Sequence, residues 1–194
     1  MKNTLAVVAA LHVAIAAVAA QSTPERFGFG KPAPRELIAR LDTDIRPDGT
    51  GLPPGKGTPA EGGVIYARHC AACHGAKGEG GQAEALVGAE PAGTAPFGPQ
   101  YEQWRGNRPD VPFTVGNFWP YATTLFDYIR RAMPTTAPGT LSADETYSVV
   151  AWLLAQNGII AETAVMTPES LPKVVMPART RFVPDDRKGG QVVR

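Results

Sequence analysis

The chain has 194 residues, 43% of them hydrophobic and 19% charged, which is enough for one modest core. Its 19 Lys and Arg nearly cancel its 18 Asp and Glu, and this balance argues against a nucleic-acid binder built on a basic surface. Two cysteines exclude a disulfide-rich scaffold, three histidines leave little for a multi-metal enzyme, and 21 glycines with 19 prolines predict long irregular stretches.

The first element is an export signal over residues 1–20. Lys2 supplies a short basic segment, residues 5–19 are almost wholly apolar, and Val18-Ala19-Ala20 precedes Gln21 as a small-residue cleavage pattern. The apolar run falls short of the roughly 20 residues that a spanning helix needs, and His12 interrupts it. Cleavage after Ala20 removes Lys2 and His12, so the remaining charges balance and the histidines left are His69 and His74. The expectation is a soluble periplasmic chain with no membrane span and no nucleic-acid partner. Residues 21–59 then read as an N-terminal arm. Pro47, Pro53, Pro54 and Pro59 break it, and only residues 35–41 form a weak helical candidate. Phe27, Phe29, Leu37, Ile38 and Leu41 give this arm apolar surface to bury.

A helix is predicted from about residue 60 into Cys70, with Pro59 tolerated in its first turn and Thr58 as its cap. It leads into Cys70-Ala71-Ala72-Cys73-His74, a CxxCH sequence and the attachment pattern of c-type haem. Two thiols at this spacing add to the two vinyl groups of one haem, and the imidazole that follows reaches the iron. A thioredoxin-like dithiol wants its CxxC at a helix start after a strand, and residues 60–69 contain no strand-forming run. A zinc site lacks a convincing fourth ligand. The cofactor this motif predicts is one covalently attached haem c.

Gly75, Gly78, Gly80 and Gly81 predict tight turns beside the porphyrin edge, without the Lys-Ser/Thr ending of a phosphate loop. Leu86 and Val87 follow as apolar contacts. Residues 88–117 read as an irregular connection in which Tyr101 and Trp104 open a short helix or pack on the haem edge. Asn117-Phe118-Trp119-Pro120-Tyr121 is a dense aromatic run. Phe118, Trp119 and Tyr121 suit a haem wall, with the Trp and Tyr able to donate to a propionate, and a place in the apolar core explains them equally well. Residues 122–132 read as a helix with Leu125, Phe126 and Ile129 on a buried stripe and Asp127 and Arg130 off it. Arg105, Arg108, Arg130 and Arg131 suit propionates, a docking surface, or plain exposure to water.

The last helix opens on Ser142 and Glu145, a capping-box pair, and carries Tyr147, Val150, Ala151 and Leu154 on one face. Gly158 stops it, and residues 159–194 form a C-terminal arm. A low-spin haem needs a second axial ligand, and a thioether is the high-potential partner of His. Met133, in a Met-Pro loop between the last two helices, is the first choice. Met176, in a second Met-Pro pair, and Met166 are its rivals, and filling a gap in the core is the other role open to Met133. His69 reads as a polar helix residue.

Taken together, residues 60–158 resemble a class I cytochrome c, an all-α fold, here with long irregular N- and C-terminal arms. Gly116-Asn117-Phe118-Trp119-Pro120-Tyr121-Ala122-Thr123-Thr124-Leu125-Phe126-Asp127-Tyr128-Ile129-Arg130-Arg131-Ala132-Met133-Pro134 is similar to the cytochrome subunits of bacterial sulfur-oxidising systems. Leu171-Pro172-Lys173-Val174-Val175-Met176-Pro177 extends the resemblance to the cytochrome partner of periplasmic molybdenum sulfite dehydrogenases and the haem subunit of sulfane dehydrogenase. Ala178-Arg179-Thr180-Arg181-Phe182 departs from that family's Asn-Arg-Asp-Gly-Phe run.

The resemblance implies that Cys70 and Cys73 hold the haem and that His74 and Met133 are its axial ligands, within the surroundings of Trp119, Tyr121 and Arg130 read above. It implies a non-catalytic electron-transfer subunit. Electrons would arrive from a molybdenum-containing subunit that oxidises sulfite or sulfane sulfur and leave to a downstream cytochrome. The arms would pack on the partner or around the cytochrome. Two other readings fit the same residues: a free diffusible carrier, and a haem enzyme with a labile sixth ligand that handles thiosulfate or peroxide.

Overall fold

The computed structural model describes residues 29–88 and 113–182, so the export signal, Phe27, Tyr101, Trp104, Arg105 and Arg108 lie outside the described residues. The chain divides into two units, Met1–Asp42 and Thr43–Arg194. The described part of the first unit holds helix α1, Arg35–Leu41, with Glu36 in its first turn and Arg40 in its last, each of the sign that the helix dipole favours there. None of its residues is buried, and Phe29 and Leu41 are 93% and 69% exposed. Of the apolar residues read as the arm's buried set, Phe29, Ile38 and Leu41 are therefore exposed, and Leu37 is half-buried. The buried apolar residue between residue 43 and α2 is Ile45.

The second unit is all-helical among its described residues. Its elements are α2 (Pro59–His69), α3 (Ala71–His74), α4 (Ala122–Ala132) and α5 (Ala143–Gln156), followed by 3₁₀ turns at Leu171–Lys173 and Pro177–Arg181. Strand-like pairing among the described residues is limited to an isolated antiparallel bridge between Gly57 and Met166. Both long helices of the α2–α5 pair start on a reciprocal cap. Thr58 Oγ1 accepts the Glu61 N–H at 3.3 Å while the Glu61 carboxylate accepts the Thr58 N–H at 3.0 Å. Ser142 and Glu145 repeat the exchange at 3.2 and 2.9 Å. Pro59 occupies the first helical position, where a missing N–H costs nothing.

Helix α2 lies against α5 in the most extensive helix–helix contact of this unit. The approach is so close that a Cβ on Gly62 would sit 1.8 Å from the Ser148 carbonyl oxygen, and one on Gly57 would sit 2.2 Å from the Ser148 nitrogen. One turn beyond Gly62, the Tyr66 ring stacks on Trp152 at 3.9 Å and 26°. Helix α4 also packs on α5, where Phe126 meets Tyr147 at 4.4 Å. Phe126, Tyr147, Val150 and Leu154 are completely buried there.

The segment between residue 43 and α2 is strapped over these helices by polar contacts from widely separated positions. The Ile45 N–H donates to Asp127 Oδ1 at 3.2 Å, and Pro47 and Pro53 accept the Thr123 and Tyr147 hydroxyls, each at 3.0 Å. The Lys56 N–H donates to Asp144 Oδ1 at 2.8 Å. Asp127 also pairs with Arg131 one turn later. Off the apolar stripe in sequence, Asp127 is nonetheless buried, because the strap covers it and supplies an N–H.

Replacing Gly by Ala inside a helix ordinarily stabilises it by about 1 kcal/mol. At Gly62 the methyl group has nowhere to go, so Gly62→Ala will destabilise the fold by on the order of 2 kcal/mol or more. Thermal denaturation of the two proteins checks the sign: a raised Tm would mean that the helices do not meet here.

Candidate functional site

The CxxCH residues sit where α2 hands over to α3. Cys70 is the C-cap of α2, and the single turn Ala71–His74 carries Cys73 and His74 onward. Neither cysteine is in a disulfide; Cys70 is half-buried and Cys73 exposed. Gly75, at φ +84°, breaks the turn and lets the chain fold back. The Gly80 N–H then donates to the His74 carbonyl at 2.8 Å, and the Ala83 N–H donates to the Cys73 carbonyl at 2.9 Å. The returning loop is tied to α5 by Asn157, whose Oδ1 accepts the Gly88 N–H at 3.0 Å and whose Nδ2 donates to the Leu86 carbonyl at 3.1 Å.

That loop orients His74. Its Nδ1 lies 2.7 Å from the carbonyl oxygen of Glu84. A carbonyl only accepts, so Nδ1 carries the proton and Nε2 keeps a free lone pair, the arrangement a metal-binding imidazole requires. From the other side the Tyr66 hydroxyl donates to the Gly75 carbonyl at 2.9 Å. The stack of Tyr66 on Trp152 is thus linked through one hydrogen bond to the residue after His74.

A cavity of about 480 Å³ opens beside these residues, within the size range of cofactor sites. Cys70, Cys73, His74 and Met133 all line it, and Leu125, Ile129 and Leu153 supply apolar wall from α4 and α5. Met133 is the C-cap of α4, at the point where Pro134 follows. Met166 and Met176 are buried in the apolar core and are not among the lining residues. Burial, with a smaller contribution from Cys73, pushes the Cys70 thiol up to about 11. That shift disfavours the thiolate an active redox dithiol depends on.

Of the aromatic run, Phe118 and Trp119 line the cavity. The Trp119 indole N–H donates to Thr124 Oγ1 at 3.1 Å, and its ring packs against Tyr128 at 5.6 Å. The donor read as available to a propionate is thus engaged within the protein. Tyr121 and Arg130 are not among the lining residues. The Tyr121 ring lies under the Arg179 guanidinium at 4.1 Å, and the charge of Arg130 is felt at Tyr147. His69 reaches the cavity rim from the end of α2. Tyr128, the Glu84 carbonyl and Asn157 were not singled out from sequence; only Asn157 carries a signal, as a polar residue directly before the helix-stopping Gly158.

The site fits a covalent haem by its donor set: two thiols, an imidazole with its lone pair free, and a thioether around a mostly apolar cavity. Among the described residues no three His, Cys, Asp or Glu side chains cluster as a metal-ion site, and no helix is long and apolar enough to cross a membrane.

Comparison with known proteins bears on the same residues. Residues 57–153 match the family model described as cytochrome C oxidase, cbb3-type, subunit III. The crystal structure of the sulfane dehydrogenase SoxCD from Paracoccus pantotrophus contains a chain that is 38% identical, with a TM-score of 0.70. The match covers 84% of this chain and 74% of that one. No curated protein sequence matches the chain.

Burial raises the Tyr66 hydroxyl to about 12, with smaller contributions from Cys70 and Glu79, and burial takes Tyr147 to about 12 as well. The folded state thus favours the neutral phenols. Their contribution to stability is whole below the ordinary value of 10.0 and is lost as pH rises through about 12. Thermal unfolding followed from neutral to strongly alkaline pH will show a decline beginning near pH 10, and Tyr66→Phe will flatten it. An unchanged alkaline slope in the variant would contradict this assignment.

Proposed function

Because the chain belongs to the c-type cytochromes and is homologous to the SoxD subunit of bacterial sulfane/sulfite dehydrogenase, we propose that it is the monohaem electron-transfer subunit of such a complex. The observation that carries this reading is the meeting of Cys70, Cys73, His74 and Met133 around one largely apolar cavity. Bound there, a haem c would supply a one-electron couple. The protein's part is to hold and insulate it. Cys70 and Cys73 would anchor it covalently, and the Glu84 carbonyl holds the His74 proton on Nδ1, which would leave Nε2 available as a neutral ligand. Met133, at the end of α4, would supply the second protein ligand, and the walls from α4 and α5 would limit the water that reaches it. Trp119 forms part of that wall. Arg130 contributes positive charge near the base of the Met133 loop.

The electron donor in this reading is a molybdenum subunit oxidising sulfite or sulfane sulfur in the periplasm, and the acceptor is a further cytochrome. Exposed apolar residues of the first unit favour a subunit over a free carrier. Phe29, Ile38 and Leu41 are 93%, 50% and 69% exposed, apolar surface that a partner would cover.

The exported chain should keep its haem through denaturation, and replacing both Cys70 and Cys73 by Ala should abolish that retention. Met133→Leu should lose the low-spin spectrum of a thioether-ligated haem, while Met166→Leu and Met176→Leu should keep it. Unchanged low-spin spectra in Met133→Leu would overturn the ligand assignment.

A further inference from the structure

The segment that follows α5 ends against the aromatic wall of the cavity. Met176 and Ala178 are 2% and 0% exposed, so the 3₁₀ turn Pro177–Arg181 is plugged into the core. From this turn Arg179 sets its guanidinium 4.1 Å from the centroid of the Tyr121 ring. Just beyond it, the Phe182 ring meets Phe118 edge-on, at 5.6 Å and 65°. These are the cation–π and edge-to-face geometries that attract beyond simple burial.

Both contacts lead inward. The Tyr121 carbonyl accepts the Thr124 hydroxyl at 3.0 Å, and Thr124 Oγ1 in turn accepts the Trp119 indole N–H at 3.1 Å. Phe118 and Trp119 both line the cavity. Tyr121 is also the N-cap of α4 and has no side-chain capping bond of its own, while Met133 caps the other end of that helix. The C-terminal segment therefore touches the wall residue Phe118 and also Tyr121, which starts the helix that carries the thioether and is linked through Thr124 to the wall residue Trp119.

We propose that Arg179 and Phe182 are positioning residues for the cofactor cavity: acting through Tyr121 and Phe118, they hold its aromatic wall closed and so limit the water that reaches the group bound inside. The proposal rests on the haem reading above. Solvent access is one of the levers that set a haem potential, because water stabilises the more highly charged oxidised state. On this account the C-terminal segment is part of the electron-transfer apparatus.

The test uses the full haem-bearing chain and the variants Arg179→Ala, Phe182→Ala, their combination, and the conservative Arg179→Lys and Phe182→Leu. Midpoint potential, entry of azide as a competing sixth ligand, amide exchange across residues 118–125, and Tm are measured on each. The double variant should have a lower potential, enough to change the reduced-to-oxidised ratio at a fixed poise by roughly threefold or more. It should also admit azide faster and exchange its 118–125 amides faster, while Arg179→Lys stays near the parent. A double variant that loses Tm but keeps the parent's potential, azide entry and local exchange would overturn the proposal and leave the segment a purely structural strap. Should the double variant not fold, Arg179→Ala and Phe182→Leu are judged by the same readouts. A chain that takes up no haem would defeat the haem reading instead, and amide exchange over 118–125 would still decide whether the two residues hold the wall.

Discussion

The bare backbone contact between Gly62 and Ser148 is the constraint on which the rest of the second unit depends. A Cβ there would lie 1.8 Å from the Ser148 carbonyl oxygen, so the separation of α2 and α5 is set by two backbones with nothing between them. Helix α2 ends on Cys70 and leads directly into α3 with Cys73 and His74, and α5 supplies Val149 and Leu153 to the cavity. The crossing therefore fixes the distance from the attachment residues to the opposite apolar wall. Gly57 meets the Ser148 nitrogen from the other direction and pairs with Met166. The segments before α2 and after α5 thus converge on the same point of α5.

Polar groups of the cavity region are satisfied in ways that leave the interior apolar. The His74 proton goes to a backbone carbonyl, the Trp119 N–H to Thr124, and the Tyr66 hydroxyl to the carbonyl of Gly75. Each of these bonds removes a donor from the cavity while fixing the ring that carries it. What remains is a mostly apolar lining that includes the His74 imidazole and the Met133 thioether. Such a lining suits a cofactor held by covalent bonds and axial ligation, with little need of polar recognition.

Features encoded by adjacent residues were legible in the sequence. The CxxCH spacing, the Thr58 cap, the Ser142–Glu145 capping pair, the proline at the start of α2, and the limits of α4 at Ala122–Ala132 all follow from contacts within a few positions. Features that depend on distant contacts were not. Asp127 looks like a solvated residue until an N–H from Ile45, 82 positions away, covers it. Tyr121 reads as wall material beside Phe118 and Trp119, yet its ring lies under Arg179 from the far end of the domain. The choice among methionines was open for the same reason: only the packing that buries Met166 and Met176 in the core separates them from Met133 at the cavity. In the first unit the apolar residues of α1 suggested burial, but Ile38 and Leu41 are exposed and Leu37 is only half-buried.

The account holds that this cavity carries electrons delivered by a sulfur-oxidising molybdenum subunit. The most direct measurement is the α-band absorbance of the oxidised chain, alone and mixed with a candidate molybdenum subunit, after addition of sulfite or thiosulfate. The account predicts rapid reduction only when both substrate and partner are present. A chain that stays oxidised under those conditions, yet is readily reduced by unrelated donors, would contradict it and mark the protein as a general carrier.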